Sequence, residues 1–122
     1  MIRAYGWSTD DLALAQSWVG QLGFWALEFE ANGMRDAPDL VALCGKHDLA
    51  GLVRSPLGTG LLTGTYTAGA GCAGVGLARS PRLVPVPGAR SVAQVQANAA
   101  TQGPLTDEQM PEIEQLLGPD IP

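Results

Sequence analysis

The chain has 122 residues, a length typical of one domain, and carries twelve acidic and seven basic residues for a formal net charge of −5. The sequence has no basic stripe, so neither nucleic acid nor an anionic membrane surface is an expected partner. No apolar run approaches the ~20 residues that cross a bilayer and no targeting signal opens the chain, so we expect a cytoplasmic protein.

The first predicted elements are a strand and the helix that follows it. The run 2–8 is rich in residues that favour strands, and the side chains of 8–11 suit a helix N-cap. Apolar residues then recur at helical spacing, at Leu12, Ala15, Val19 and Leu22.

The next segment repeats this strand–helix alternation. Large apolar and polar residues alternate over 24–32 as they do in a strand. A helix is predicted over 36–49, with Asp36 as its N-cap and Pro38 in its first turn.

The remaining chain gives two more strands and two more helices. We predict strands over 50–57 and 83–86, a helix from about Ser91 to Thr101, and a last helix near 105–117. The alternative for the last helix is a start at Pro111, because a proline further inside it would remove a needed N–H. Strands that alternate with helices predict parallel strands joined by right-handed crossovers.

The predicted fold class is therefore α/β, as one domain over residues 1–122. A glycine-rich stretch at 65–81 lacks apolar periodicity and is predicted to be a loop. A C-terminal helix and tail are predicted for 104–122.

One candidate ligand site follows the third strand. Residues 56–60 read Pro-Leu-Gly-Thr-Gly, and small residues there let backbone N–H groups approach an anionic ligand closely. The alternative is that these glycines only form a turn.

A second candidate site follows the fourth strand. Gly88 allows a tight turn, Arg90 precedes a helix N-terminus, and Gln94 and Asn98 follow it on one helix face. Free N–H groups, a positive dipole end and an arginine suit a phosphate, and the two amides suit a base. The alternative is an ordinary surface helix with a solvated arginine.

Other reactive residues carry structural interpretations. Lys46 and His47 sit near the end of a predicted helix, where cations favour the dipole. Cys44 and Cys72 lack metal-ligand spacing and are interpreted as free thiols, and no metal site is predicted.

The sequence resembles the aldo/keto reductases, specifically the C-terminal half of their eight-stranded barrel. The resemblance rests on "IRAYGWSTDD", "RSPLGTGLLTGTY", "PLTDEQMPEIEQLL" and a Gly-Ala-Arg-Ser-x-x-Gln-x-x-x-Asn signature at 88–98. It implies a half-barrel like the second half of a TIM barrel, with strands five to eight at 2–8, 24–32, 50–55 and 83–87. It also implies that the 65–81 loop replaces a helix.

The resemblance further implies an NADP(H) site. Ser55, Leu57, Gly58 and Gly60 would line the pyrophosphate. Gly88 belongs to the same signature, in which Arg90 would meet the adenosine 2′-phosphate, and Gln94 and Asn98 would hold the adenine.

The family's catalytic tyrosine, lysine, aspartate and histidine belong to the other barrel half, so no catalytic tetrad can be assigned here. At about half of the roughly 250 residues of a full barrel, the chain is expected to bind NADP(H) without being an independent carbonyl reductase. Glu28 stands where the family usually has a glutamine facing the nicotinamide, and Ser8-Thr9 stands in place of a serine–asparagine pair.

Two other interpretations stay open. One is a cofactor-free isomerase, lyase or cyclase in which Glu28, or the pair Asp10 and Asp11, transfers protons. The other is a folded gene remnant without chemistry.

Assembly follows from the open sheet. Four strands leave two strand edges and an apolar face uncovered. The residues expected to line one face of the sheet or the other include Leu27, Phe29, Val53 and Val84. We expect a homodimer, with coverage by 65–79 or the tail after Thr106 as the monomeric alternative.

Overall fold

A computed structural model of the chain describes residues 2–32, 35–58 and 80–100. Four strands and three helices alternate in these ranges. In chain order they are β1 (Tyr5–Ser8), α1 (Leu12–Trp18), β2 (Phe24–Glu30), α2 (Pro38–His47), β3 (Ala50–Arg54), β4 (Leu83–Pro85) and α3 (Val92–Ala99).

The four strands form one parallel sheet in the order β1-β2-β3-β4. In its register Leu27 pairs with Gly51, and Gly51 pairs with Leu83. Each strand therefore lies beside its neighbours in sequence, which confirms the predicted α/β class with a parallel sheet.

One face of the sheet carries the core. Leu27, Phe29 and Val53 are almost wholly buried there, because alternate strand residues point to the same face. They join one apolar cluster with Ala15 of α1 and with three residues of α2, which are Leu40, Leu43 and Cys44. Burial raises the pKa of the Cys44 thiol to about 11, while the Arg82 guanidinium acts in the opposite direction.

The opposite face, which we call the open face, carries Ala26, Glu28, Leu52 and Val84. Glu28 pairs with Leu52 and Leu52 with Val84, so these side chains share a face. Val84 is 49% exposed, whereas Leu27, Phe29 and Val53 lie under the helices. Leu27, Phe29 and Val53 therefore lie on the covered face of the sheet, and Val84 lies on the open face.

Helix α1 is shorter than apolar periodicity predicts. It ends at Trp18, and Leu22 is 98% exposed. Gly20 has a φ of +85°, a left-handed conformation that turns the chain out of the helix.

The predicted N-cap of α2 was also wrong. Ala37 occupies the N-cap position and no side chain caps this helix. The Asp36 carboxylate instead accepts a hydrogen bond from the N–H of its neighbour Ala37, at 2.8 Å. Pro38 as the first helical residue has no N–H to be satisfied, which lessens the need for a cap.

All four strands are shorter than predicted. β3 ends at Arg54 because Ser55 has a left-handed φ of +52°, which no strand residue adopts. Helix α3 ends at Ala99, two residues before the predicted end near Thr101. Predictions for Gly60, Cys72, most of the 65–81 loop and the 104–122 helix lie outside the described residues. None of the helices within the described ranges is long and apolar enough to cross a membrane.

Candidate functional site

The segments that follow β3 and β4 leave the sheet side by side. Val53 pairs with Pro85, and the Val86 N–H donates to the Val53 carbonyl oxygen at 2.9 Å. Parallel strands have their carboxyl ends at one edge, where α/β folds place their ligands. The structure therefore brings the Ser55 segment and the Arg90 segment to the same edge.

A compact turn follows β3 at residues 55–58. Ser55 and Gly58 both have positive φ, +52° and +53°, and the Gly58 N–H donates to the Ser55 carbonyl oxygen at 2.9 Å. Pro56 has no N–H, and that of Gly58 is used inside the turn. The donors that residues 55–58 can offer a ligand therefore include the Leu57 N–H and the Ser55 hydroxyl.

Helix α3 begins with a reciprocal cap. Ser91 has an extended φ of −145°, and its hydroxyl accepts from the Gln94 N–H at 3.2 Å. The Gln94 Oε1 atom accepts in turn from the Arg90 N–H at 2.6 Å. This confirms the helix start predicted at Ser91. The exchange resembles a capping box, except that Gln94 accepts from the residue before the N-cap and not from the N-cap itself.

The cap at the start of α3 limits which atoms of the Gln94 side chain are available to a ligand. The Gln94 Oε1 atom already accepts from the Arg90 N–H, and its Nε2 amide is the group that can donate to an adenine.

Gly88 is not among the glycines with positive φ, and a Cβ there would meet nothing within 4 Å. The turn therefore does not require glycine at this position.

Arg90 is exposed and immediately precedes Ser91, the N-cap residue of α3. Its guanidinium forms no ion pair with any carboxylate in 2–32, 35–58 or 80–100. Asn98 lies half-buried two turns further along the same helix. A phosphate at the helix start would therefore meet a cation that no described carboxylate neutralises.

A network of ion pairs at the same sheet edge was not anticipated from the sequence. Arg54 pairs with Asp10 and also with Glu30, the latter at 3.3 Å, and Arg35 pairs with Glu30 at 3.1 Å. Glu30 and Arg54 occupy the same register on neighbouring strands. Opposite charges at the ends of two predicted adjacent strands were the signal that could have revealed this pairing.

The carboxylates considered for proton transfer have structural partners. Asp11 is the N-cap of α1, where its Oδ1 atom accepts from the Leu14 N–H at 3.0 Å. Asp10 pairs with Arg54 and accepts from the Glu30 N–H at 2.8 Å. Glu28 is half-buried on the open face, and its carboxylate forms no ion pair within the part of the chain that the structure describes.

Lys46 and His47 lie away from this edge. Both are exposed in the last turn of α2, and the chain then turns at Asp48 and enters β3. They are therefore at the amino edge of the sheet, opposite the Ser55 turn. This placement agrees with their interpretation as cations at a helix end.

A cleft of about 180 Å³ lies between the end of β2 and the start of α2. It is lined by Asp10, Leu12, Glu30, Arg35, Asp36, Ala37, Pro38, Asp39 and Leu40. It shares Asp10 and Glu30 with the ion-pair network, but none of the described residues that are predicted to bind a cofactor lines it.

Comparison with known proteins supports the fold. The chain is similar to the solved structure of the aldo-keto reductase AKR11C1 from Bacillus halodurans in its holo form, with a TM-score of 0.70 and 19% sequence identity. The match covers 93% of this chain and 50% of that one, so the chain spans about half the length of the reductase. No protein-family model matches the chain, and no curated protein matches its sequence. The chain therefore has the fold of half of an aldo-keto-reductase-like α/β barrel.

Proposed function

We propose that the chain binds NADP(H) at the carboxyl edge of its sheet. The observation that supports this most directly is the position of Arg90, an exposed arginine without a described carboxylate partner, at the capped start of α3. The Ser55 turn leaves the sheet from the adjacent strand. The similar reductase structure is a holo form, which is consistent with this assignment.

Each part of the nucleotide has a proposed partner. Arg90 and the first N–H groups of α3 bind the adenosine 2′-phosphate, because a helix N-terminus and a guanidinium both stabilise an anion. The Ser55 hydroxyl and the Leu57 N–H bind the pyrophosphate, with Gly60 next to them in sequence. The Nε2 amide of Gln94 and the side chain of Asn98 bind the adenine.

The proposed activity of this chain is binding, not independent carbonyl reduction. General acid catalysis needs a proton donor within hydrogen-bond reach of the carbonyl oxygen. Tyr5 packs instead against aromatic rings, with its centroid 5.7 Å from that of Phe24 and 6.4 Å from that of Trp18. A catalytic role for Glu28 lacks a supporting contact among the described residues.

Titration calorimetry with NADPH and NADH tests the proposal. The chain should prefer NADPH, and Arg90→Ala should remove that preference by deleting a charge-assisted contact worth about 1.5–3 kcal/mol, roughly a 10- to 150-fold loss of affinity. Arg3→Ala is the matched control, because Arg3 is also exposed and unpaired within the described ranges but precedes β1. Equal affinity for the two nucleotides, or no binding at millimolar concentration, would contradict the proposal.

A further inference from the structure

The turn after β3 holds a serine in a conformation that serine rarely adopts. Ser55 has a φ of +52°, in the left-handed region that L-residues avoid because of the Cβ atom. Such conformations persist only where surrounding contacts determine them. The contact that does so here comes from a different loop.

Asn32, two residues after β2, supplies that contact. Its Nδ2 amide donates to the Ser55 carbonyl oxygen at 3.3 Å, and the same oxygen accepts from the Gly58 N–H at 2.9 Å. Two donors from different segments therefore converge on one carbonyl oxygen. Asn32 joins the loop after β2 to the turn after β3.

Asn32 is itself held firmly. Its N–H donates to the Arg35 carbonyl oxygen at 2.8 Å, and its Oδ1 atom accepts from the Arg35 N–H at 3.0 Å. The Arg35 side chain pairs with Glu30, which also pairs with Arg54 next to Ser55. These contacts form a closed ring around the two loops, so the Nδ2 amide is fixed in direction.

The carbonyl that Asn32 holds is electrostatically important for an anion site. It belongs to the peptide bond between Ser55 and Pro56, and proline has no N–H. A rotation of this peptide unit would thus present a bare oxygen, and never a donor, to a phosphate. Two hydrogen bonds to that oxygen keep it inside the turn.

We propose that Asn32 is a positioning residue for pyrophosphate binding. By holding the Ser55 carbonyl oxygen inside the turn, it keeps that oxygen away from the anion and leaves the Ser55 hydroxyl and the Leu57 N–H available to bind it. This inference rests on the proposed nucleotide function. It assigns a role to a residue outside the binding segments themselves.

Asn32→Asp tests the role with little change of shape. The variant keeps an acceptor for the Arg35 N–H but replaces the Nδ2 donor with an oxygen that repels the Ser55 carbonyl. At about pH 7.5, where a carboxyl of pKa near 4 is ionised, NADP⁺ affinity should fall about tenfold or more, which corresponds to about 1.4 kcal/mol. The Gly58 amide should lose protection from hydrogen exchange, measured by NMR.

Lower pH gives a rescue that is expected if Asn32 acts through its hydrogen-bond donor and not through its shape alone. Near pH 4 the introduced carboxyl becomes protonated and can donate again. The Gly58 protection factor and the ratio of variant to wild-type affinity should then recover towards their wild-type values. Gln16→Glu, the same amide-to-acid change on the exposed surface of α1, should alter neither quantity at either pH.

The possible outcomes distinguish the proposal of NADP(H) binding from the proposed positioning role of Asn32. If the wild-type chain binds no NADP⁺, the proposed function is wrong. Gly58 protection then still tests whether Asn32 holds the turn after β3. If Gly58 protection is unchanged in Asn32→Asp, Asn32 does not hold the turn after β3. If protection is lost while NADP⁺ affinity is unchanged, Asn32 has no positioning role in pyrophosphate binding. If Asn32→Asp does not fold, Asn32→Ala removes the donor without repulsion and is subject to the same two measurements.

Discussion

Leu22 and Leu27 place the same side chain in opposite environments. Leu27 is fully buried in the core beneath the helices, whereas Leu22 is 98% exposed after α1. Removing Leu27 leaves a cavity among Phe29, Val53 and their neighbours, and removing Leu22 leaves none.

Leu27→Ala should therefore lower the free energy of unfolding by about 2–5 kcal/mol. Leu22→Ala should change it by no more than about 0.5 kcal/mol. Urea denaturation followed by circular dichroism measures both variants. Equal losses for the two would mean that the sheet face assigned to the core is wrong.

For single residues, the sequence predicts a side-chain contact when the two partners are close along the chain. The start of α3 at Ser91 was predictable because a cap bonds to an N–H three residues on. Asn32 and Ser55 are 23 residues apart, and Asp10 and Arg54 are 44 apart. No periodicity marks such pairs, because only the packing of separate units brings them together.

Among the elements, α1 depends on a single side-chain cap. Asp11 accepts from the Leu14 N–H, and the first turn of α1 contains no acidic residue. The helix is only seven residues long, so loss of one bond at its start affects a large part of it.

Asp11→Ala should destabilise the protein by about 0.5–2 kcal/mol, since alanine cannot accept that bond. Asp11→Asn, which retains a capping oxygen and loses the charge, should cost less than about 1 kcal/mol, the range of a dipole interaction. Thermal unfolding of both variants provides the measurement. A loss in Asp11→Asn as large as that in Asp11→Ala would show that charge, not capping, stabilises α1.

Element type was more predictable than element ends. All seven described elements were predicted with the correct type, because their apolar periodicities are distinct. Leu22 extended the α1 pattern beyond the real end, since periodicity does not register the left-handed Gly20. Asp36 resembled a cap from its residue type alone, and Pro38 shifted the actual N-cap to Ala37.

The whole molecule has one covered and one open sheet face. Ala26, Leu52 and Val84 give the open face an apolar surface around Glu28, and Val84 is 49% exposed. The similar reductase has twice the length of this chain. We propose that two copies of the chain pack their open faces together as a homodimer.

Light scattering coupled to size exclusion at micromolar concentration should give twice the chain mass of 12.7 kDa. Val84→Arg should shift the population towards monomer, because a charge on the open face must lose its hydration when two faces meet. Leu22→Arg, on an exposed residue outside that face, is the control and should remain dimeric. A wild-type species at the monomer mass would exclude the homodimer.

The strand order β1-β2-β3-β4 has a consequence for how such a chain originates. Ser8 pairs with Glu28 and Glu28 with Leu52, so every ladder joins strands that are consecutive in the sequence. Removal of a terminal strand–helix unit breaks one ladder and leaves the others whole. Gene duplication, fusion and fission can therefore add or remove such units without changing how the remaining strands are connected. Half of a barrel is an expected result of such events.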